Sequence, residues 1–380
     1  MHVLLDYRPA LRERSGVGEY VHELAAALAA RAGPGQTLAL FTSSWKDRPA
    51  PDLQGALPGV TIHDRRVPVR VLNWCWHRAG VPSVERLTGS RFDVVHAAHP
   101  LLIPARDAAT VVTIHDLEFL DRPAQTHAEI RRDYATLARA HAQRADAVLT
   151  SSQHSADRIV EVLAVPAERV VVATPGPPRW ATAARRTPRD AAGYLLFIGT
   201  LQPRKNVGTL LDAYERLLAR RPDLPLLKVA GRAGPSARAW LRRMAEPPLA
   251  GHVEHVGYVP DAARRALFEG ASALIIPSWH EGFGLPALEA MSLGLPVVAS
   301  NRGALPEVLD DAGVFVSPED ADALAEAIRR VLEDRGFAEA CAQKGLARAA
   351  GFSWKRAADI VWALYADIVG RRQLRHAHRG

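Results

Sequence analysis

Short apolar segments alternate with longer amphipathic ones along the whole chain, and this alternation limits the possible folds more than any other feature of the sequence. Apolar runs bounded by turn residues read as buried strands, and a 3.6-residue periodicity reads as helices packed on them. In the first half, strands are expected at 2–5, 37–41, 94–96, 111–114 and 147–150, with helices at 17–30, 128–143 and 156–163. In the second, strands at 194–198, 226–230, 253–256, 273–276 and 297–299 alternate with helices at 207–220, 237–244, 261–268 and 286–293, and a further helix follows at 321–332. Two such series predict two doubly wound parallel α/β sheets. The stretch 174–190, with four prolines and little apolar periodicity, reads as a linker. Domains are therefore expected at 1–180 and 185–353, with the final helical stretch 354–380 crossing back onto the first. Ligands of doubly wound sheets bind beyond the carboxyl ends of the strands, so two facing sheets would enclose a central cleft.

Length and composition agree with this. A chain of 380 residues exceeds what one hydrophobic core organises, and 48% hydrophobic with 23% charged residues excludes a disordered or fibrous chain. Two cysteines, Cys75 and Cys341, make neither a disulfide framework nor a cysteine zinc site. The first residues read as a strand ending in Asp6, so no leader is expected, and no apolar run approaches the roughly 18 residues of a membrane span. The cytoplasm is the expected location. A net charge of +7 raises the question of nucleic acid. Arginine is spread along the chain, however, and the basic tail 371–379 has no aromatic besides its histidines, so no nucleic-acid binding is expected. A positive field also suits phosphates or an anionic lipid surface. Only five lysines (Lys46, Lys205, Lys228, Lys344, Lys355) stand among 48 basic residues, so a lysine in a strand-to-helix turn is conspicuous.

The densest chemistry lies in His280-Glu281-Gly282-Phe283-Gly284-Leu285-Pro286-Ala287-Leu288-Glu289, which follows a strand and opens a helix. Pro286 suits a first helical turn, and Gly284 permits close approach to the backbone. The N–H groups of Gly284, Leu285 and Ala287 are expected to face the cleft, where they suit a diphosphate. Glu289, among Leu288, Ala290 and Met291, needs strong partners, and ribose hydroxyls would serve. Arg204 and Lys205 sit between another strand and the helix beginning near Val207. There, fixed cations and helix N–H groups would stabilise charge on a leaving nucleoside diphosphate.

Glu281 and Glu289, with seven residues between them, resemble the E-x7-E motif of glycosyltransferase family 4, which has the GT-B fold: two Rossmann-like domains facing a central cleft. Phe197-Ile198-Gly199-Thr200-Leu201-Gln202-Pro203-Arg204-Lys205-Asn206 resembles that family's donor-phosphate turn. The run from Ser292 to Asn301, with Leu305-Pro306-Glu307-Val308, resembles the stretch after the E-x7-E helix, and Phe352-Ser353-Trp354 the start of the last helix. Ser15-Gly16-Val17-Gly18-Glu19-Tyr20 resembles the family's glycine loop under sugar and phosphates. Val21 stands where a dinucleotide fingerprint needs a third glycine, which argues against an oxidoreductase. His115, in Thr113-Ile114-His115-Asp116-Leu117, resembles the family histidine that contacts the donor sugar, and Asp116 would orient it or cap the next turn. His96 and His99 are expected to be loop structure rather than acceptor contacts.

The resemblance implies transfer of a hexose, with retention, from a nucleotide sugar to a hydroxyl of a glycan or lipid-linked acceptor. The strings IHDL and GTLQPRKN look most like bacterial mannosyltransferases of polysaccharide assembly, so GDP-mannose is the first expectation for the donor. Implied catalytic residues are His115, Glu281, Arg204 and Lys205. Implied donor contacts are Gly16, Gly18, Gly199, Arg204, Lys205, Phe283, Gly284, Leu285 and Glu289. No cofactor or metal is expected. The only D-x-D is Asp320-Ala321-Asp322, and Ser317-Pro318-Glu319-Asp320 reads as a capping-box helix start. A GT-B sugar-nucleotide epimerase and a non-catalytic nucleotide-sugar-binding protein are the rival readings. The segment Asn73-Trp74-Cys75-Trp76-His77-Arg78 leaves two readings open: a helix burying its indoles, or a peripheral contact with the inner face of a membrane or a hydrophobic acceptor.

Overall fold

The computed structural model describes all residues except 12–15, 122, 124–127, 182–192 and 378–380. The chain divides into two compact units, Met1–Gly176 with Ser353–Gly380, and Pro177–Phe352. The start expected for the second domain, 185, lies outside the described residues, as do Ser15, most of the proposed linker and the last residues of the basic tail.

Among the described residues the first unit holds seven parallel strands: β1 (His2–Asp6), β2 (Thr37–Ser43), β3 (Thr61–Arg65), β4 (Val94–Ala97), β5 (Ala109–Thr113), β6 (Ala147–Thr150) and β7 (Val170–Val172), in the order β3-β2-β1-β4-β5-β6-β7. Because both faces of a parallel sheet are covered, its central strands carry apolar residues on both faces. Val3, Leu5, Leu40 and Val111 pack on one face, while Leu4, Phe41, Val95 and Val112 pack on the other. The helix Trp354–Ala377 belongs to this unit. It contributes Val361, Tyr365 and Ile368 to the first face, and Trp362 donates its indole N–H to the carbonyl of Leu28.

The second unit holds β8 (Tyr194–Ile198), β9 (Leu227–Ala230), β10 (Val253–Gly257), β11 (Ala271–Ile276), β12 (Val297–Ser300) and β13 (Gly313–Val316), all parallel, in the order β10-β9-β8-β11-β12-β13. Leu195, Phe197, Val229 and Ile275 line one face, and Leu196, Leu274, Ile276 and Val297 the other. In each sheet the order reverses once, between β1 and β4 and between β8 and β11. At such a switch point the flanking loops diverge to opposite faces and leave a crevice.

Three strands escape the sequence reading: β3, β7 and β13. All are sheet edges, with one side unpaired and half-exposed residues, so Thr61-Ile62-His63-Asp64-Arg65 shows no continuous apolar run. One helix start is corrected. The helix Ala321–Glu333 is capped by Asp320, whose carboxylate accepts from the N–H of Ala323 at 2.8 Å, and not by a box built on Ser317. A β-region backbone and an oxygen aimed at the third N–H are what a cap requires, and Asp320 alone meets both.

Candidate active site

In the second unit the loops after β8 and β11 bracket the switch point and carry most of the candidate residues. After β8 the chain passes Gly199 and makes a short 3₁₀ turn, Pro203–Lys205, before the helix Val207–Arg220. Asn206 joins them in the left-handed region (φ 55°). Its side-chain amide donates to the carbonyls of Pro277 and Pro318, while its oxygen accepts from the Thr209 hydroxyl. This one buried side chain fixes the β8 loop to the loops after β11 and β13, and its importance was not legible in sequence. The only local hint was an asparagine just before a helix, tolerant of positive φ.

That fixation brings Arg204 and Lys205 onto Glu281. Glu281 is 6% exposed. Its carboxylate accepts from the Lys205 ammonium at 2.5 Å and from the Ser278 hydroxyl at 2.6 Å, with the Arg204 guanidinium at 3.5 Å. Burial by itself would raise its pKa. Lys205, then Arg204, and the hydrogen bonds outweigh burial and hold Glu281 at about 2. Its backbone is held as well, because its carbonyl accepts from the N–H of Ala304. A side chain at Gly303 would strike the Glu281 backbone at 2.7 Å. Ser278 and Gly303 are thus supports of the site that sequence reasoning missed.

Gly284 has φ 97° and caps the helix Leu285–Ser292. A β-carbon there would meet Leu305 at 2.9 Å, so only glycine fits. One expectation is corrected here: the N–H of Ala287 is already bonded to the carbonyl of Gly284 at 2.9 Å and does not face outward. The turn closes on itself, as the i→i+3 bond of a first helical turn does. Phe283 is buried with its ring edge against Phe352, so what it offers a ligand is backbone. Gly199 lies beside Lys205, whose Cε would sit 3.4 Å from a β-carbon placed there. Glu289 is 4% exposed and its partner is Arg264, at 2.6 Å, on the helix Asp261–Glu269. Burial raises its pKa and Arg264 opposes that rise without cancelling it. Arg264 carries no motif that sequence could flag; only folding sets its helix beside that of Glu289.

In the first unit, the helix Val17–Arg31 opens at Gly16 (φ 55°), and a β-carbon at Gly18 would lie 2.8 Å from the carbonyl oxygen of Pro9. The turn thereby sets Tyr20 edge-on to His115, with ring centroids 4.7 Å apart. His115 lies just past β5, and its Nε2 has no hydrogen-bond partner among the described residues. Burial, against a smaller opposing pull from Asp116, lowers its pKa to about 4, so the ring is neutral at pH 7. Asp116 caps the next turn by accepting from the N–H of Glu118. His96 is a structural group, bonded to the Tyr365 and Thr113 hydroxyls at 2.6 and 2.7 Å. His99 joins Asp6 and Arg8 in a buried network at the ends of β1 and β4, which the sequence marked only by an acid at the end of a strand.

Among the described residues no three His, Cys, Asp or Glu side chains converge as a metal-ligand group, and no helix is long and apolar enough to cross a membrane. Two cations and a carboxylate held at a switch point suit an anionic, hydroxyl-rich ligand, since fixed charges there need no reorganisation when charge develops.

Comparison with known proteins agrees. The model for "Glycosyl transferases group 1" matches residues 179–348 and that for "Glycosyltransferase Family 4" matches 14–177. The chain is 34% identical to the O-antigen chain mannosyltransferase B of Escherichia coli over 279 residues, covering 69% of this chain and 71% of that protein. Among solved structures it is similar to sucrose-phosphate synthase of Thermosynechococcus elongatus, with a TM-score of 0.76 at 21% identity, covering 97% of this chain and 99% of that one. It is also similar to Anabaena HepE in complex with UDP-glucose, with a TM-score of 0.71 at 18% identity over 96% of this chain and 100% of that one. The fold is GT-B, and the chain is a glycosyltransferase belonging to family 4.

Proposed function

We propose that this glycosyltransferase moves mannose from GDP-mannose to a hydroxyl of a glycan or lipid-linked glycan, with retention at the anomeric carbon. The observation that carries the proposal is the Arg204–Lys205–Glu281 constellation at the switch point of the second sheet. The mannosyl donor is supported by the activity named for the Escherichia coli relative. A nucleotide-sugar donor in general is supported by the ligand of HepE.

In this reading Arg204 and Lys205 hold the donor diphosphate and stabilise its charge as the glycosidic bond breaks. Glu281, ionised throughout the physiological range, accepts hydrogen bonds from sugar hydroxyls near the reacting carbon. Glu289 holds the ribose, and neutral His115 donates to a sugar hydroxyl. Retention by double displacement needs a carboxylate at the anomeric carbon. We favour front-face attack instead, in which the leaving phosphate takes the acceptor's proton. The protein's own cations supply the charge stabilisation, so the reaction is proposed to run without a divalent metal. A lipid-linked acceptor would bring the chain from the cytoplasm to the inner face of the membrane.

The test is a thermal-shift screen of GDP-mannose, UDP-glucose and related donors, followed by turnover with glycan acceptors and NMR of the product. Stabilisation by GDP-mannose with an α-linked mannosyl product is expected. A larger shift and faster transfer with UDP-glucose would replace the donor, and a β-linked product would remove retention.

A further inference from the structure

The helix Val69–Ala79 divides its two tryptophan-bearing faces sharply. Leu72 and Trp76 point inward and are 2% and 3% exposed, with the Trp76 indole donating to the carbonyl of Pro82 and the Arg8 guanidinium stacked on its ring. Two residues from Trp76, Trp74 is 62% exposed. Val71 beside it is 52% exposed, and Val81 just past the helix is 57% exposed. Arg70 and Arg78 lie one turn either side of Trp74, at i−4 and i+4, so they flank it on one surface strip. Both are exposed, as is Arg66, and none of the three has a carboxylate partner among the described residues. Arg329 and the exposed Arg335 pair with glutamates, while the exposed Arg86, Arg238 and Arg302 likewise lack a carboxylate partner among the described residues, so the strip is set apart by the clustering of its arginines around Trp74. From Arg65 through Val84 the chain contains four arginines and no Asp or Glu. A second indole belongs to the same region. The hydroxyl of Ser43 donates to the carbonyl of Val67, and the N–H of Ser44 to that of Arg65, so the loop bearing Trp45 (70% exposed) and Lys46 starts beside this helix.

We infer that this strip is a docking surface for an anionic lipid bilayer, with Trp74 and Val71 seated at the headgroup level and Arg66, Arg70 and Arg78 on the lipid phosphates. An indole flanked by unpaired guanidiniums is matched to that boundary, apolar on one side and negatively charged on the other. A helix of 11 residues is about 16 Å long. With a diameter of about 10 Å, its outer face offers on the order of 160 Å², a small part of the roughly 800 Å² per partner of a standard protein interface. A planar charged surface has no such requirement, and each guanidinium adds to the binding. The inference gives the proposed lipid-linked acceptor a place on the molecule, yet its physics does not depend on that acceptor. Vesicles without acceptor therefore test it separately.

The experiment is co-sedimentation of the full chain with vesicles of phosphatidylcholine alone and of phosphatidylcholine mixed with phosphatidylglycerol, at low and high salt. Binding should require phosphatidylglycerol and weaken as salt rises, because the Debye length shortens. Removing one arginine should lower partitioning about fivefold, so Arg70→Gln with Arg78→Gln should lower it roughly 25-fold. Trp74→Ala should weaken binding and Trp74→Phe should restore most of it. Melting temperatures and turnover on a soluble acceptor should be unchanged, since these side chains are exposed. Equal binding to neutral vesicles, undiminished binding by these variants, or no binding by the wild type would each overturn the inference. So would a dimer that Trp74→Ala dissociates in the absence of any vesicle binding, which would make the strip a protein contact.

Discussion

Replacing Lys205 by methionine removes the ammonium nearest Glu281 while keeping most of the stem, and the structure sets the consequence. The Glu281 pKa lies at about 2 against an ordinary 4.5, although burial works the other way. That displacement corresponds to roughly 3 kcal/mol in favour of the ionised form. Glu281 is nearly inaccessible, so solvent screening relieves little of the loss when Lys205 goes. Arg204 at 3.5 Å and the Ser278 hydroxyl remain as weaker partners. Lys205→Met alone should therefore destabilise the second unit by about 3 kcal/mol, as removal of one member of a buried pair does. Glu281→Gln alone leaves a buried ammonium and should cost a similar amount. The double variant leaves no stranded charge, so its loss should fall short of the sum of the singles by about 2 kcal/mol. Urea unfolding of all four proteins at pH 7, followed by tryptophan fluorescence, measures this coupling. The pH dependence supplies a second reading. Because the folded pKa is depressed, the contribution of Glu281 is fully present above pH 4.5 and is lost as pH falls toward 2. Additivity within about 0.5 kcal/mol would refute the assignment of the pair as one energetic unit.

Kinetics should separate the two glutamates. Glu281→Gln should lower kcat about 10–100-fold with a smaller change in donor affinity, and Glu289→Gln should chiefly weaken donor binding; full turnover by Glu281→Gln at saturation would remove it from the reacting sugar. Lys205→Ala should weaken binding of a nucleoside diphosphate far more than of its nucleoside, and equal losses in calorimetry would show that the ammonium does not see phosphate. The first unit should lose stability as pH falls from 6.5 toward 5, before carboxylates titrate. Burial holds His77, His115 and His141 at about 4 and His96 at about 3, so the unfolded chain takes up protons first. Each histidine should contribute roughly 1 kcal/mol per pH unit in that window, and a flat stability profile there would contradict their neutral burial. Transfer should persist in EDTA, whereas complete loss restored by manganese or magnesium would mean that the protein's cations do not suffice.

The sequence by itself determined the class of fold. Strand–helix alternation is a local pattern, and a buried parallel strand must be apolar on both faces, so β1, β8, β11 and β12 are visible without any tertiary knowledge. The strand-to-helix turns that bear Arg204, Lys205 and Glu281, and the helix start that leads to Glu289, were legible for the same reason, since turn residues, proline and glycine act on the backbone within a few residues. What those side chains touch was not legible. Lys205 and Glu281 are 76 positions apart, and meet because the strand order reverses between β8 and β11 and Asn206 ties the two loops together. Arg264 reaches Glu289 only because one helix packs beside another. The edge strand β3 was missed because pairing on one side relaxes the demand for apolar residues, whereas β7 and β13 are apolar but only three and four residues long, too short for a pattern to show. The inward N–H of Ala287 and the cap at Asp320 depend on backbone angles that composition does not specify. Trp74 and Trp76 show the division most plainly. Both indoles lie on one amphipathic helix, and the sequence left open whether the protein buries them or turns them outward. Only the packing of that helix, with Trp76 set against Phe41 and Arg8, turned Trp74 out to solvent.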